Sequence, residues 1–237
     1  RVGAHGRVGG FDRAYIWTGT QWQERFRIAP LIQESDFVTM VFFTENDILY
    51  YEPRTTTNWQ DHRLLRWSTG NTFDELSPIP VEAGFFIPEF VGRSSFDFFV
   101  KSGRPLRRYN AGVWSELTLG MDANESVLHV TWCPTRAVVG TNKNRVIAVD
   151  GAVGVELGTN ADFKTLGLWE IACAPDGTVR RTGSNGYVGR WTGSLWVTEL
   201  LAPAITAVRA VSPTLAYAGT AAGAIHRFNG SVWSEVF

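Results

Sequence analysis

The chain is poor in cysteine, histidine and charge. Its two cysteines, Cys133 and Cys173, exclude a disulfide-dense scaffold and any metal site built from three or four thiolates. The four histidines, His5, His62, His129 and His226, are scattered, and no pair has metal-ligand spacing. There is no nucleophile elbow, phosphate-binding loop, His-Glu-x-x-His or Cys-x-x-Cys motif. No cofactor or metal is therefore expected, and no catalytic residue can be named. Charged residues make up 19% of the chain, below the about one quarter of ordinary domains, and the net charge is −1. That removes the bulk electrostatic basis for binding nucleic acid or an acidic membrane. No apolar run approaches the roughly 18 residues of a membrane-spanning helix, so membrane insertion is not expected.

Tryptophan is abundant instead, and most of it falls in a repeat. Six glycines, Gly19, Gly70, Gly112, Gly151, Gly193 and Gly230, recur at about forty-residue intervals. Each is followed two or three residues later by a closing position: Trp22, Phe73, Trp114, Gly154, Trp196 or Trp233. Each is preceded by a bulky residue: Trp17, Trp67, Tyr109, Val149, Trp191 or Phe228. An arginine stands immediately before that residue in four copies, as Arg66, Arg108, Arg190 and Arg227. Three residues before it runs an apolar column: Ala14, Leu64, Leu106, Val146, Val188 and Ile225. Glutamate follows the closing position in five copies, as Glu24, Glu75, Glu116, Glu156 and Glu235.

The polar turn between the bulky and closing positions, such as Asn229-Gly230, is a strong hairpin signal because glycine accepts positive φ. Two further strand-like runs precede every hairpin but the first, for example Val127 to Trp132 and Ala137 to Gly140, with Pro134, Pro175 and Pro213 at the turns between such runs. Four short strands per repeat is the content of a propeller blade. The expected fold is an all-β propeller of six four-stranded blades in one domain. Its blades fall at about 1–30 (partial), 31–78, 79–120, 121–160, 161–201 and 202–237. The first blade has no segment for an innermost strand, so a continuation of the polypeptide or a protein partner is expected to complete it, since open edges invite pairing.

The hairpin at Phe228-Asn229-Gly230-Ser231-Val232-Trp233 resembles the Asp-box turn of sialidase-type propellers, without the aspartate. It also resembles the hairpin of fucose-binding propeller lectins, whose sugar-binding glutamate is replaced here by the apolar column from Ala14 to Ile225. Pairing a strand such as Ala216-Tyr217-Ala218-Gly219 with the hairpin Arg227 to Trp233 is similar to uncharacterised bacterial and phage-type propeller repeats. That resemblance implies an extracellular or virion-associated setting.

Function is read from what the repeat leaves over. Trp59 has no place in the repeat and sits in the long polar stretch Glu52 to His62, so Trp59 and His62 are candidate partner-binding residues. Arg104 and Arg107 belong to a basic cluster with Arg63, Arg66, Arg93 and Arg108, which suits an anionic partner surface or arginine stems packed on blade edges. Innermost strands would bring Glu89, His129, Glu170 and Arg209 to a central channel. Cys133 and Cys173 fall at matching places in adjacent blades; a disulfide is open, but two buried thiols are the favoured reading. The function expected is a non-enzymatic recognition or assembly module. The alternatives are a multivalent glycan-binding lectin and a propeller glycosidase with carboxylates converging from different blades.

Overall fold

A computed structural model of the chain describes residues 3–8, 11–30, 39–53, 61–69, 72–80, 88–101, 105–158, 167–184, 186–202 and 204–237. It divides into two compact units, Arg1–Ser115 and Glu116–Phe237.

The first unit begins with a three-stranded sheet of β1 (Gly3–Val8), β2 (Phe11–Trp17) and β3 (Trp22–Ile28). A four-stranded sheet follows, of β4 (Thr39–Thr44), β5 (Asp47–Pro53), β6 (His62–Thr69) and β7 (Thr72–Glu75). The next holds β8 (Glu89–Ser94), β9 (Asp97–Lys101), β10 (Arg107–Asn110) and β11 (Val113–Glu116). The second unit holds three such sheets. Their strands are β12 (Val127–Trp132), β13 (Ala137–Thr141), β14 (Val146–Asp150) and β15 (Val153–Glu156), then β16 (Leu168–Cys173), β17 (Val179–Gly183), β18 (Tyr187–Trp191) and β19 (Trp196–Leu201), then β20 (Ile205–Ser212), β21 (Leu215–Thr220), β22 (Ile225–Phe228) and β23 (Trp233–Glu235).

Every sheet is an up-and-down meander in chain order, the strand order of a propeller blade. The hairpins of the repeat are β2–β3, β6–β7, β10–β11, β14–β15, β18–β19 and β22–β23. In the first sheet Trp17 pairs with Trp22, as Phe228 pairs with Trp233 in the last. β1 therefore corresponds to the second strand of a blade, and among the described residues the first blade lacks its innermost strand, as expected. The turns close on glycine for a steric reason: Gly193 and Gly230 sit at φ 102° and 99°, where a side chain is strained.

Within each unit the core is a series of apolar layers between consecutive sheets. In the second unit Val138, Val146 and Ala148 pack against Leu168 and Ile171 of the next sheet. Ala172 and Val188 pack in turn against Val208 and Ala218. The second strands read as continuous buried runs because both their faces are covered: Ala137–Thr141 and Val179–Gly183 are buried at every residue.

One expectation is corrected. Cys133 and Cys173 are not free thiols but a disulfide, with Cα atoms 5.4 Å apart. Cys133 follows β12 and Cys173 ends β16, so the close approach of adjacent innermost strands brings the sulfurs together. Repeat spacing reports equivalent positions, but not how closely their strands converge.

Candidate functional site

Trp59 and Arg104 lie outside the described residues. His62 is buried; its Nε2 accepts the Ile79 N–H at 2.9 Å and its ring lies 5.3 Å from that of Tyr51. Arg107 is likewise buried, on β10 opposite Val100. The rest of the basic cluster is neutralised locally. Arg63 meets Glu52 at 2.7 Å, Arg66 meets Asp74, and Arg93 and Arg108 both meet Asp97 at 2.8 Å. The described part of that edge is thus a set of ion pairs rather than a positive surface.

Of the four channel candidates, Glu89 is exposed and paired with Lys101, in the first unit. In the second unit His129 is half-buried opposite Gly140. Glu170 accepts the Val208 N–H through Oε2 at 2.8 Å, tying β16 to β20, and Arg209 is exposed opposite Tyr217. Glu170 and Arg209 line one cavity, and His129 is not among its lining residues. Among the described residues no group of three His, Cys, Asp or Glu side chains is placed to hold a metal ion.

The repeat tryptophans are structural. In four hairpins the tryptophan lies against its cross-hairpin partner, with ring centroids 5.5 Å apart for Trp17–Trp22, 5.0 Å for Tyr109–Trp114, 5.6 Å for Trp191–Trp196 and 5.4 Å for Phe228–Trp233, while Trp67 lies 5.8 Å from Phe26. Two also bond the preceding repeat: Trp114 donates to the Ser77 carbonyl at 3.1 Å and Trp196 to the Leu157 carbonyl at 2.8 Å. A buried indole N–H usually finds an acceptor, and for Trp114 and Trp196 the acceptor belongs to the preceding repeat.

Arginines form the other recurring device. Arg108 reaches Asp97, and Arg190 reaches Glu199, which also holds the fully buried Arg180. Arg181 is buried as well; its Nη1 donates to the Asn144 carbonyl at 3.1 Å and its guanidinium faces the Tyr187 and Trp196 rings. Burial pushes the Arg181 guanidinium down, and it pushes the Tyr187 phenol up to about 12 against the opposing pull of Arg181. Arg180, Arg181 and Tyr187 are sealed between strands and offer nothing to solvent.

Within the second unit taken by itself, the last sheet exposes part of one face. β20 to β22 bury Val208, Ala210 and Ala218 on one side, while Tyr217 and Ile225 stay 36% and 38% exposed. Around Gly219 lies a cavity of about 280 Å³, lined also by Ala207, Arg209 and Glu170. Arg209, Tyr217 and Arg227 are cross-strand neighbours in one row. This face is the candidate recognition site. The first unit offers a second concavity, about 370 Å³, lined by Gly3, Ile16, Phe42, Phe43, Thr44 and Glu45.

Sequence reading missed the first of these sites. Gly219 was visible only as the glycine that ends a repeat strand, and nothing in the sequence marks it as uncovered.

No protein-family model and no curated protein matches the chain. Solved structures do. YCF48 bound to D1 peptide is 12% identical, with a TM-score of 0.64 over 95% of this chain and 74% of that one. Virginiamycin B lyase from Staphylococcus aureus is 13% identical, with a TM-score of 0.64 over 96% and 77%. Sqt1 from Saccharomyces cerevisiae is 12% identical, with a TM-score of 0.63 over 96% and 67%. The chain is a β-propeller. At such identities the likeness fixes the fold alone, and propellers host enzymes and binding platforms alike. One of these propellers is a lyase and another is seen with a peptide.

Proposed function

We propose that this propeller is a non-enzymatic recognition module whose partner is a protein, engaged through an extended peptide segment. The observation that carries the reading is the open face of the last sheet, where Tyr217, Gly219 and Ile225 surround a cavity of about 280 Å³. Apolar lining with a few charged groups at the rim is the usual character of a ligand-binding concavity. A similar propeller seen with a peptide, YCF48 bound to D1 peptide, lends the same reading support. The ionisable groups with the most perturbed environments, Tyr50, Tyr51, Arg181 and Tyr187, are packed between strands rather than gathered in a cleft, which favours binding over catalysis.

The glycan reading draws no support from the similar structures, and the repeat tryptophans it would need are engaged in hairpin packing. The test is selection from a random peptide display library on the purified chain, followed by calorimetry of the selected sequences. Saturable binding in the micromolar range or tighter supports the proposal. A folded chain that selects no peptide refutes it. A glycan array run in parallel is expected to be blank.

A further inference from the structure

The segment Asp122-Ala123-Asn124-Glu125-Ser126 carries chemistry that the recognition reading does not use. Asn124 and Ser126 frame an Asn-x-Ser acceptor for N-linked glycan, with glutamate rather than proline between them. Asn229-Gly230-Ser231 has the same pattern. The structure separates the two.

The first lies in the connection that leads into β12, within the second unit. Glu125 is fully buried and anchors it. Its carboxylate accepts the Thr141 hydroxyl at 2.5 Å, the Asp122 N–H at 3.1 Å and the Arg145 guanidinium at 2.8 Å. The flanks are tied to the next turn. The Ser126 N–H donates to Asn142 Oδ1 at 2.9 Å, and the Asn142 side-chain amide donates to the Asn124 carbonyl at 3.3 Å. With Glu125 turned inward, Asn124 is exposed. Among the described residues no hydrogen bond engages its side-chain amide or the Ser126 hydroxyl. A glycan on that amide therefore leaves every bond of the turn in place. At Asn229 the side-chain oxygen is already occupied: it accepts the Ser231 and Val232 N–H groups at 3.1 and 3.0 Å and so is held against its own hairpin turn.

Two further observations point to the same modification. The Cys133–Cys173 disulfide suits the oxidising compartments, outside the cytosol, in which N-linked glycans are added. Asp122 is exposed and stands two residues before Asn124, where bacterial-type oligosaccharyltransferases require an acidic side chain. Arg227 takes that place before Asn229.

We propose that Asn124 is an N-glycosylation acceptor of this protein when it is exported. The donor is an oligosaccharide joined through a diphosphate to a polyisoprenyl lipid. The Asn124 side-chain nitrogen attacks the anomeric carbon of the first sugar and forms a C–N glycosidic bond. The anomeric C–O bond breaks, the lipid diphosphate leaves with its electron pair, and one amide proton passes to a base of the transferase. Asp122 and the Ser126 hydroxyl are the groups that the transferase reads on either side. The bulky glycan shields the Asn142-Lys143 turn beside it.

The test is to export the whole chain to the periplasm of a bacterium that carries such a transferase and its lipid-linked donor, together with an established acceptor protein as control. Intact-mass spectrometry should show the mass of the glycan added, and peptide mapping should place it on Asn124. The addition should be lost in Asn124→Gln and in Ser126→Ala, fall in Asp122→Ala, and persist in Asn229→Gln. Circular dichroism melts establish that each variant is folded. A folded, oxidised chain that carries no glycan while the control protein does overturns the proposal. So does a glycan that maps to Asn229, or one that survives Asn124→Gln.

Discussion

Joining Cys133 to Cys173 closes a loop of 40 residues and ties two consecutive innermost strands, β12 and β16. In the chain-entropy description, such a cross-link removes about 13 cal/mol/K from the unfolded ensemble, or about 3.9 kcal/mol at 25 °C. For a protein of this size each kcal/mol moves the melting midpoint by roughly 2–4 °C, so reduction should lower it by about 8–16 °C. The comparison that isolates the cross-link is wild type with and without reductant, melted by circular dichroism. The variant Cys133→Ala with Cys173→Ala serves as control. Alanine is the better replacement because a serine hydroxyl at Cys133, which is 2% exposed, would need a partner it lacks. The control should melt near the reduced wild type and ignore reductant, and no thiol of the oxidised protein should titrate in denaturant. A wild type whose midpoint does not respond to reductant, with both thiols reactive once unfolded, would refute the disulfide and return these residues to buried thiols.

Three further outcomes are expected. Gly140→Val should destabilise the protein by about 1–3 kcal/mol in urea denaturation, because its methyls collide with Leu168 and Ile171, whereas Gly219→Val should be near neutral. Trp196→Phe should cost about 1–3 kcal/mol by leaving the Leu157 carbonyl without its indole donor, while Trp22→Phe, at a ring 49% exposed, should stay within about 0.5 kcal/mol. Glu125 gives a signed pH dependence. Burial pushes its carboxyl up, but the Thr141 hydroxyl, the Asp122 N–H and Arg145 outweigh burial and hold it below its ordinary value of 4.5. Its contribution is therefore complete above that ordinary value and is lost as pH falls through the depressed folded value, so Glu125→Gln should be less stable at neutral pH and converge on wild type in acid melts taken below that depressed value.

The repeat carried most of the fold into view from the sequence. The run Val127 to Trp132 reads as a strand and is one, and Phe228 to Trp233 reads as a hairpin and is one, because apolar patterning and turn chemistry act within a few residues. The three-stranded first sheet was also readable, since only one segment precedes its hairpin. What stayed hidden depends on distance across blades. His62 looks like a loop residue beside Trp59, yet it is sealed by an N–H seventeen residues on. Arg107 looks like one of a basic run, yet strand alternation turns it inward while Arg108 reaches Asp97. The candidate site was the least visible part of the molecule. Gly140 and Gly219 look alike in sequence, and only the neighbour in front of each separates a packed contact from an open one.

The arginine–carboxylate pairs bear on how such a chain grows. Arg13 with Glu24, Arg66 with Asp74, Arg108 with Asp97, Arg145 with Glu156 and Arg190 with Glu199 each close within one sheet or the turn leading into it. A module that cancels its own charge can be copied, lost or reordered without changing the field its neighbours feel. Ancestral blades could thus multiply by tandem duplication while the whole stayed near electroneutral, as 22 basic and 23 acidic residues leave it. Selection would then be free to act on the few arginines that fall outside that internal cancellation.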